Sequence, residues 1–101
     1  MMFQPWAYET VAASQTDQVI GVNGAAGNIL ANIIIVQATT SPGAVQIKDG
    51  AGSAITVFTG GATSVADLTP IVIPINAIST SGAWKITTGA NVSVIATGTF
   101  V

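Results

Sequence analysis

The sequence predicts an all-β domain, on three observations. Its β-branched residues come in short runs, the densest being Ile33-Ile34-Ile35-Val36, and such side chains fit a pleated strand better than a helix. Turn-forming residues punctuate the chain at intervals of about 8–12 residues, the spacing of sandwiches and barrels. No stretch sustains a 3.6-residue apolar period long enough for a helix. Together these predict a single antiparallel β-sandwich or jelly-roll-like barrel of about eight short strands. An extended N-terminal arm is expected over residues 1–8 and one folded domain over 9–101. A chain of 101 residues is long enough to hold a core without staples.

Taken in order, Met1 to Tyr8 holds Phe3, Trp6 and Tyr8, half of the six aromatics. Pro5 pushes Gln4 toward an extended conformation. Large aromatics in such a segment suggest that it is tied down, on its own domain or on a neighbour, since aromatics are enriched in interface cores. The segment lacks the basic start and sustained apolar stretch of a secretory signal. Glu9 to Gln15 is expected as a first strand and Ser14-Gln15-Thr16-Asp17 as a turn. Gln18 to Asn23 is expected as a second strand. Asn23-Gly24 through Asn28 reads as a turn. Its glycines, Gly21, Gly24 and Gly27, do not match the dinucleotide fingerprint, and no helix follows to receive a phosphate.

Leu30 to Ala38 is the strand on which the chain is organised. Both of its faces are apolar, whereas a solvent-facing antiparallel strand alternates. Leu30, Ile34 and Val36 are the expected core side. Ala31, Ile33 and Ile35 are the expected side for a second subunit or another protein, or for an arm of the chain itself, with Ile33 and Ile35 as interface candidates. Pro42-Gly43 ends the strand. Ala44 to Lys48 alternates, with Val45 and Ile47 inward, and Asp49 to Ser53 is a turn. Ile55 to Thr59 returns, and a loop runs from Gly60. Pro70 to Ile75 alternates again, but Pro74 cannot donate to a ladder, so this strand should lie on an edge or contain a break. Trp84 to Thr87 and Val92 to Thr97 complete the set around a Thr88-Gly89-Ala90-Asn91 turn. Ile47 to Gly60 and Ile86 to Gly98 share a strand, glycine-turn, strand pattern. Either an internal repeat or two hairpins with similar needs accounts for it.

Composition narrows the function. Charged residues are 6% of the chain, against about 25% in typical soluble domains, and mean hydropathy is +0.67. Such a chain cannot build the mixed-charge surface that keeps a lone monomer dispersed. Much of its exterior is therefore expected to be covered by other protein; the alternative is a small monomer coated in Thr and Ser. Two Lys and no Arg are too few for a nucleic-acid groove or an anionic membrane surface. The uncharged window from Gln18 to Ile47 is interrupted by Asn, Gly and Pro, so no spanning helix is expected.

No enzymatic chemistry is expected either. Without His or Cys, imidazole bases, thiol nucleophiles and the usual zinc sites are excluded. Acid–base work would fall to Glu9, Asp17, Asp49 and Asp67, with Lys48, Lys85 or Tyr8, and nothing in the sequence brings two carboxylates together for glycoside chemistry. Asp49 to Ser53 lacks the ligand spacing of a calcium loop, with Ala51 at position three and Gly60 at position twelve. No catalytic, metal or cofactor residue is assigned. Trp84 is expected in the core; Trp6, Tyr8 or Trp84 is open to an alternative use as a platform for a sugar ring.

The tract Pro70-Ile71-Val72-Ile73-Pro74-Ile75, then Ala77-Ile78-Ser79 and Gly82-Ala83-Trp84-Lys85-Ile86-Thr87-Thr88-Gly89, resembles small structural proteins of tailed bacteriophages. The pattern across the chain is similar to the cement or decoration proteins of phage heads, which are often short all-β or jelly-roll domains. The resemblance implies a place on the virion surface, binding across seams of the major capsid protein, and self-association as a homodimer or trimer. It transfers no functional residue. The candidate protein-interface residues are Phe3, Trp6, Tyr8, Ile33 and Ile35. The alternative is a carbohydrate-binding or adhesin-like module of a tail or fibre.

Overall fold

The computed structural model describes residues 6–21 and 24–100. Among them lie eight strands and no helix: β1 (Ala7–Val11), β2 (Gln18–Val19), β3 (Ile29–Gln37), β4 (Val45–Asp49), β5 (Ile55–Phe58), β6 (Ile71–Ile78), β7 (Trp84–Thr88) and β8 (Val92–Thr99). All pairings are antiparallel. They build two four-stranded sheets, sheet A in the order β1-β8-β3-β6 and sheet B in the order β2-β7-β4-β5. The molecule measures 42 × 33 × 18 Å, so it is a thin slab whose two broad sides are the outer faces of the sheets.

Period-two alternation sorts the side chains. On sheet A, Val11, Ile33, Ile35, Val94 and Ala96 point into the core; on sheet B, Val45, Ile47, Trp84 and Ile86 meet them. Ile71, Ile73, Ile75 and Ala77 of β6 close the core from the edge. Polar groups tie the layers at their rims. The Trp84 indole N–H donates to the Asn28 carbonyl (3.1 Å). The Thr88 hydroxyl donates to the Ala12 carbonyl (2.6 Å) and accepts from the Gln15 N–H (3.0 Å). Glu9 faces inward at the sheet A edge, where its carboxylate accepts the Gly21 N–H (3.0 Å).

The central strand is the other way round from the expectation. Ala31, Ile33 and Ile35 are fully buried, whereas Asn32, Ile34 and Val36 are only partly covered. A bulge is the cause. Between the Leu30 and Asn32 rungs, β8 advances one residue (Gly98 to Thr97), β3 two (Leu30 to Asn32) and β6 three (Ala77 to Pro74). The extra residue on β3, Ala31, switches the parity of the strand. Leu30 before it and Ile33 after it therefore both face the core. On β6 the surplus is taken up around Asn76, which has φ 53°. Pro74 is both on an edge strand and beside this irregularity, as its missing N–H requires.

Two further expectations are corrected. β1 begins at Ala7 and pairs Ala7 with Gly98 and Tyr8 with Thr97, so Ala7 and Tyr8 belong to sheet A rather than to an arm; residues 1–5 lie outside the described residues. The two similar strand–glycine–strand segments are not equivalent. β4 and β5 form a hairpin within sheet B, whereas β7 and β8 lie in different sheets. The Gly89–Asn91 connection passes between layers, with Asn91 at φ 62°. Gly89 lies against Gly43; a Cβ on Gly89 would sit 2.8 Å from the Gly43 Cα. The approach is clasped by Gly43 N–H to Ala90 O and Gly89 N–H to Ala44 O, both 2.8 Å.

Candidate interaction surface

The outer face of sheet A is built from the residues that alternation turns away from the core. Register aligns them in rows across all four strands. The central row is Thr10, Ile95, Ile34 and Val72. On one side lies Tyr8, Thr97, Asn32 and Pro74, and on the other the Val36–Ser93 pair. Beyond the bulge, Ile29 stands between Thr99 and Ile78. Val72 is 60% exposed, Ile78 56% and Tyr8 72%. No residue in these rows is charged. Ile95, Ile34 and Val72 adjoin one another at the centre of the face, with Thr10, Asn32, Thr97 and Ser93 around them; a run of adjoining apolar side chains on an outer sheet face is a candidate contact surface.

The outer face of sheet B differs. Gln46 stands opposite Thr56 and Thr87, and Lys48 opposite Lys85. Asp17 approaches Lys48 at 3.5 Å and accepts from the Thr87 hydroxyl at 3.2 Å. At the end of this sheet the Asp49 carboxylate accepts from the backbone N–H groups of Ser81 (3.0 Å) and Thr80 (2.9 Å) and from the Thr80 hydroxyl (2.9 Å). The Ser81 N–H, with Thr80 beside it, holds the Asp49 carboxyl below its ordinary range. Gly50 (φ 54°) packs against the Ser81 backbone, where a side chain would collide. A shallow cleft of about 380 Å³ opens beside this clasp, lined by Val19, Gly24, Gly50, Ala51, Ser81, Gly82, Ala83 and Lys85. Lys85 is its one charged lining residue.

The remaining acid is also committed locally: Asp67 accepts the Thr69 N–H (3.0 Å), which lowers its pKa. Among the described residues no three His, Cys, Asp or Glu side chains gather at a metal-binding distance.

Of the five residues singled out from sequence, Tyr8 lies in the outer face of sheet A and Trp6, just before β1, is 51% exposed. Phe3 lies outside the described residues. Ile33 and Ile35 are core residues, fully buried against sheet B, and their assignment to an interface is withdrawn. The parity switch at Ala31 turns Ile34 and Val36 outward instead. Ile95 and Val72 were missed altogether. Their signal was present: Ile95 is apolar between Ser93 and Thr97, and Val72 interrupts the inward series Ile71, Ile73, Ile75. Only the strand order β8-β3-β6 makes them neighbours. Trp84 is in the core, as expected, at 4% exposure.

Comparison with protein-family models, with curated proteins and with solved structures gives no significant match to this chain.

Proposed function

We propose that this chain is a structural protein that works by binding other protein rather than by catalysis: an accessory subunit on the outside of a phage capsid, stabilising the shell by bridging major capsid protein subunits. The observation that supports it is the charge-free apolar outer face of sheet A on a thin two-layer body. A clamp of this kind needs stiffness and a dry contact surface, and no reacting group. Anything that binds only the assembled shell stabilises it by mass action. The virion location rests on the resemblance of Pro70 to Gly89 to phage structural proteins. The test is to mix the purified chain with shells assembled from the major capsid protein of the genome that encodes it. Saturable co-sedimentation and a raised shell melting temperature are expected; no binding at any chain concentration would overturn the reading.

A second reading has one observation in its favour. Trp6 and Tyr8 are both exposed and two residues apart, and an exposed aromatic pair can stack on a sugar ring. A glycan array on which Trp6→Ala and Tyr8→Ala abolish binding would establish that module of a tail or fibre; an empty array removes it.

A further inference from the structure

We infer that the outer face of sheet A is covered by the same face of a second copy, giving a four-layer homodimer. The inference rests on the reading of that face as a protein interface and names its occupant, leaving the remaining surface of the dimer to meet the shell. Four observations point to a second copy.

The first is size. Three strands of eight or nine residues and the five-residue β1, spaced about 4.8 Å apart and rising about 3.3 Å per residue, make a face of roughly 480 Å². Two such faces bury roughly 1,000 Å² before side-chain relief is counted, the size at which specific interfaces begin.

The second is chemistry. Ile34, Ile95 and Val72 lie side by side, with no charge in their rows. A face without charges cannot choose a partner by electrostatic complementarity. It fits a surface that is equally uncharged and equally β-branched, and its own copy is one.

The third is shape. Stacked sheets pack well only when their twists match, at about −30° between strand directions. Two copies of sheet A have the same twist by construction, and a two-fold axis through the face sets Ile34 near its counterpart in an isologous contact.

The fourth is what remains outside. With the sheet A faces closed on each other, the dimer exposes two sheet B faces carrying Lys48, Lys85 and Asp17. The few charges of the chain then cover the two broad exterior sides.

The experiment uses the full chain. Light scattering over a concentration series is expected to give twice the chain mass. Ile34→Lys should return it to the mass of one chain, because a buried unpaired ammonium is not tolerated at a dry contact. Gln46→Lys, on the outer face of sheet B, should leave the dimer intact. Should Ile34→Lys fail to fold, a triple variant, Ile34→Thr, Ile95→Thr and Val72→Thr, keeps the strand-forming side chains and should be folded by circular dichroism and monomeric. Because the chain contains no cysteine, Ile34→Cys gives a second readout. Stacked sheets lie about 10 Å apart, beyond disulfide reach, so a short bismaleimide should link two copies through Cys at position 34 and fail to do so in Gln46→Cys.

A wild-type monomer at every concentration overturns the homodimer. So does a dimer that survives both Ile34→Lys and the triple variant. If the monomeric wild type binds capsid shells and Ile34→Lys abolishes that binding, the face belongs to the shell protein: the homodimer falls and the proposed function stands. If the wild type neither dimerises nor binds shells, both fall.

Discussion

The two broad sides of this sandwich have the same number of strands and opposite surfaces. Sheet B turns Gln46, Lys48, Thr56, Lys85 and Thr87 outward; sheet A turns out Ile34, Ile95, Val72 and Pro74, flanked by uncharged Thr10, Asn32, Thr97 and Ser93. Folding requires only one apolar side per sheet, the side that meets the core. Sheet B goes beyond it only at its edges, where Val19 of β2 and Ile55 of β5 are exposed. Sheet A exceeds it, and the excess lies in the middle of three adjacent strands rather than scattered. Scattered exposed apolar residues need no explanation, but a continuous row does. On the proposed reading, the difference teaches that the apolar content of this chain is divided between two tasks, one internal and one external.

That contrast breaks most severely on the facing of β3. The double variant Ile33→Thr/Ile35→Thr should be unfolded at room temperature. Large-to-small changes at such buried sites cost about 2–5 kcal/mol each, and a domain of this size has only about 5–15 kcal/mol to lose. Ile34→Thr/Val36→Thr should stay folded, within about 1 kcal/mol of the parent in urea unfolding. If the second pair unfolds the chain and the first does not, the outer face has been assigned to the wrong side.

A smaller effect is expected at Gln37, which shares the inward side of β3. It is 4% exposed, and its side-chain oxygen has no hydrogen-bond partner among the described residues. Gln37→Leu should raise stability by about 1 kcal/mol, since a buried acceptor left unpaired is costly. A loss of stability would mean that the amide is satisfied in solution.

Acid sharpens the sheet B side. A carboxylate whose folded-state pKa is depressed contributes stability above its unfolded value, and that contribution is lost as pH falls through the folded-state value. Asp49 and Asp67 are both lowered from 3.8, so melting temperature should hold through neutral pH and fall below about pH 4. Asp49→Asn should flatten part of that fall and lower the neutral-pH melting temperature slightly. An unchanged acid limb would remove the Ser81–Thr80 clasp as its cause.

The smallest effect belongs to the exposed Lys48–Asp17 pair. Asp17→Asn should change stability by less than about 1 kcal/mol, with any loss shrinking in high salt. A larger loss would mean that the polar face contributes to folding as well as to solvation.

Much of the fold was legible because turn chemistry is local. Asp49 to Ser53, Pro42-Gly43 and Thr88 to Asn91 lie where strands end, and Pro74 announced an edge strand with an irregularity. The facing of β3 was not legible. Ile33 with Ile35 and Ile34 with Val36 are nearly equal in volume and hydrophobicity, so the neighbours decide which pair is inside. Counting from Leu30 gives the wrong answer because a single residue, Ala31, resets the alternation, and nothing about an alanine signals a bulge. The surface row was hidden for a different reason. Ile95 and Val72 come from strands more than thirty residues distant from Ile34 in sequence, and adjacency of that kind is a property of the sheet order.

The place of β8, between β1 and β3 in sheet A, also sets a timetable. As the chain leaves the ribosome, β4 and β5 can pair at once, because they form a hairpin. Residues 29–37 have no such early partner; they wait for residues 71–78 on one flank and 92–99 on the other. During that wait both sides of the most apolar strand are open to water and to other nascent chains. Distant pairing of this kind places folding in the range of about milliseconds to seconds rather than microseconds. The segment that holds the finished molecule together is thus also the one most in need of shelter while it is being made.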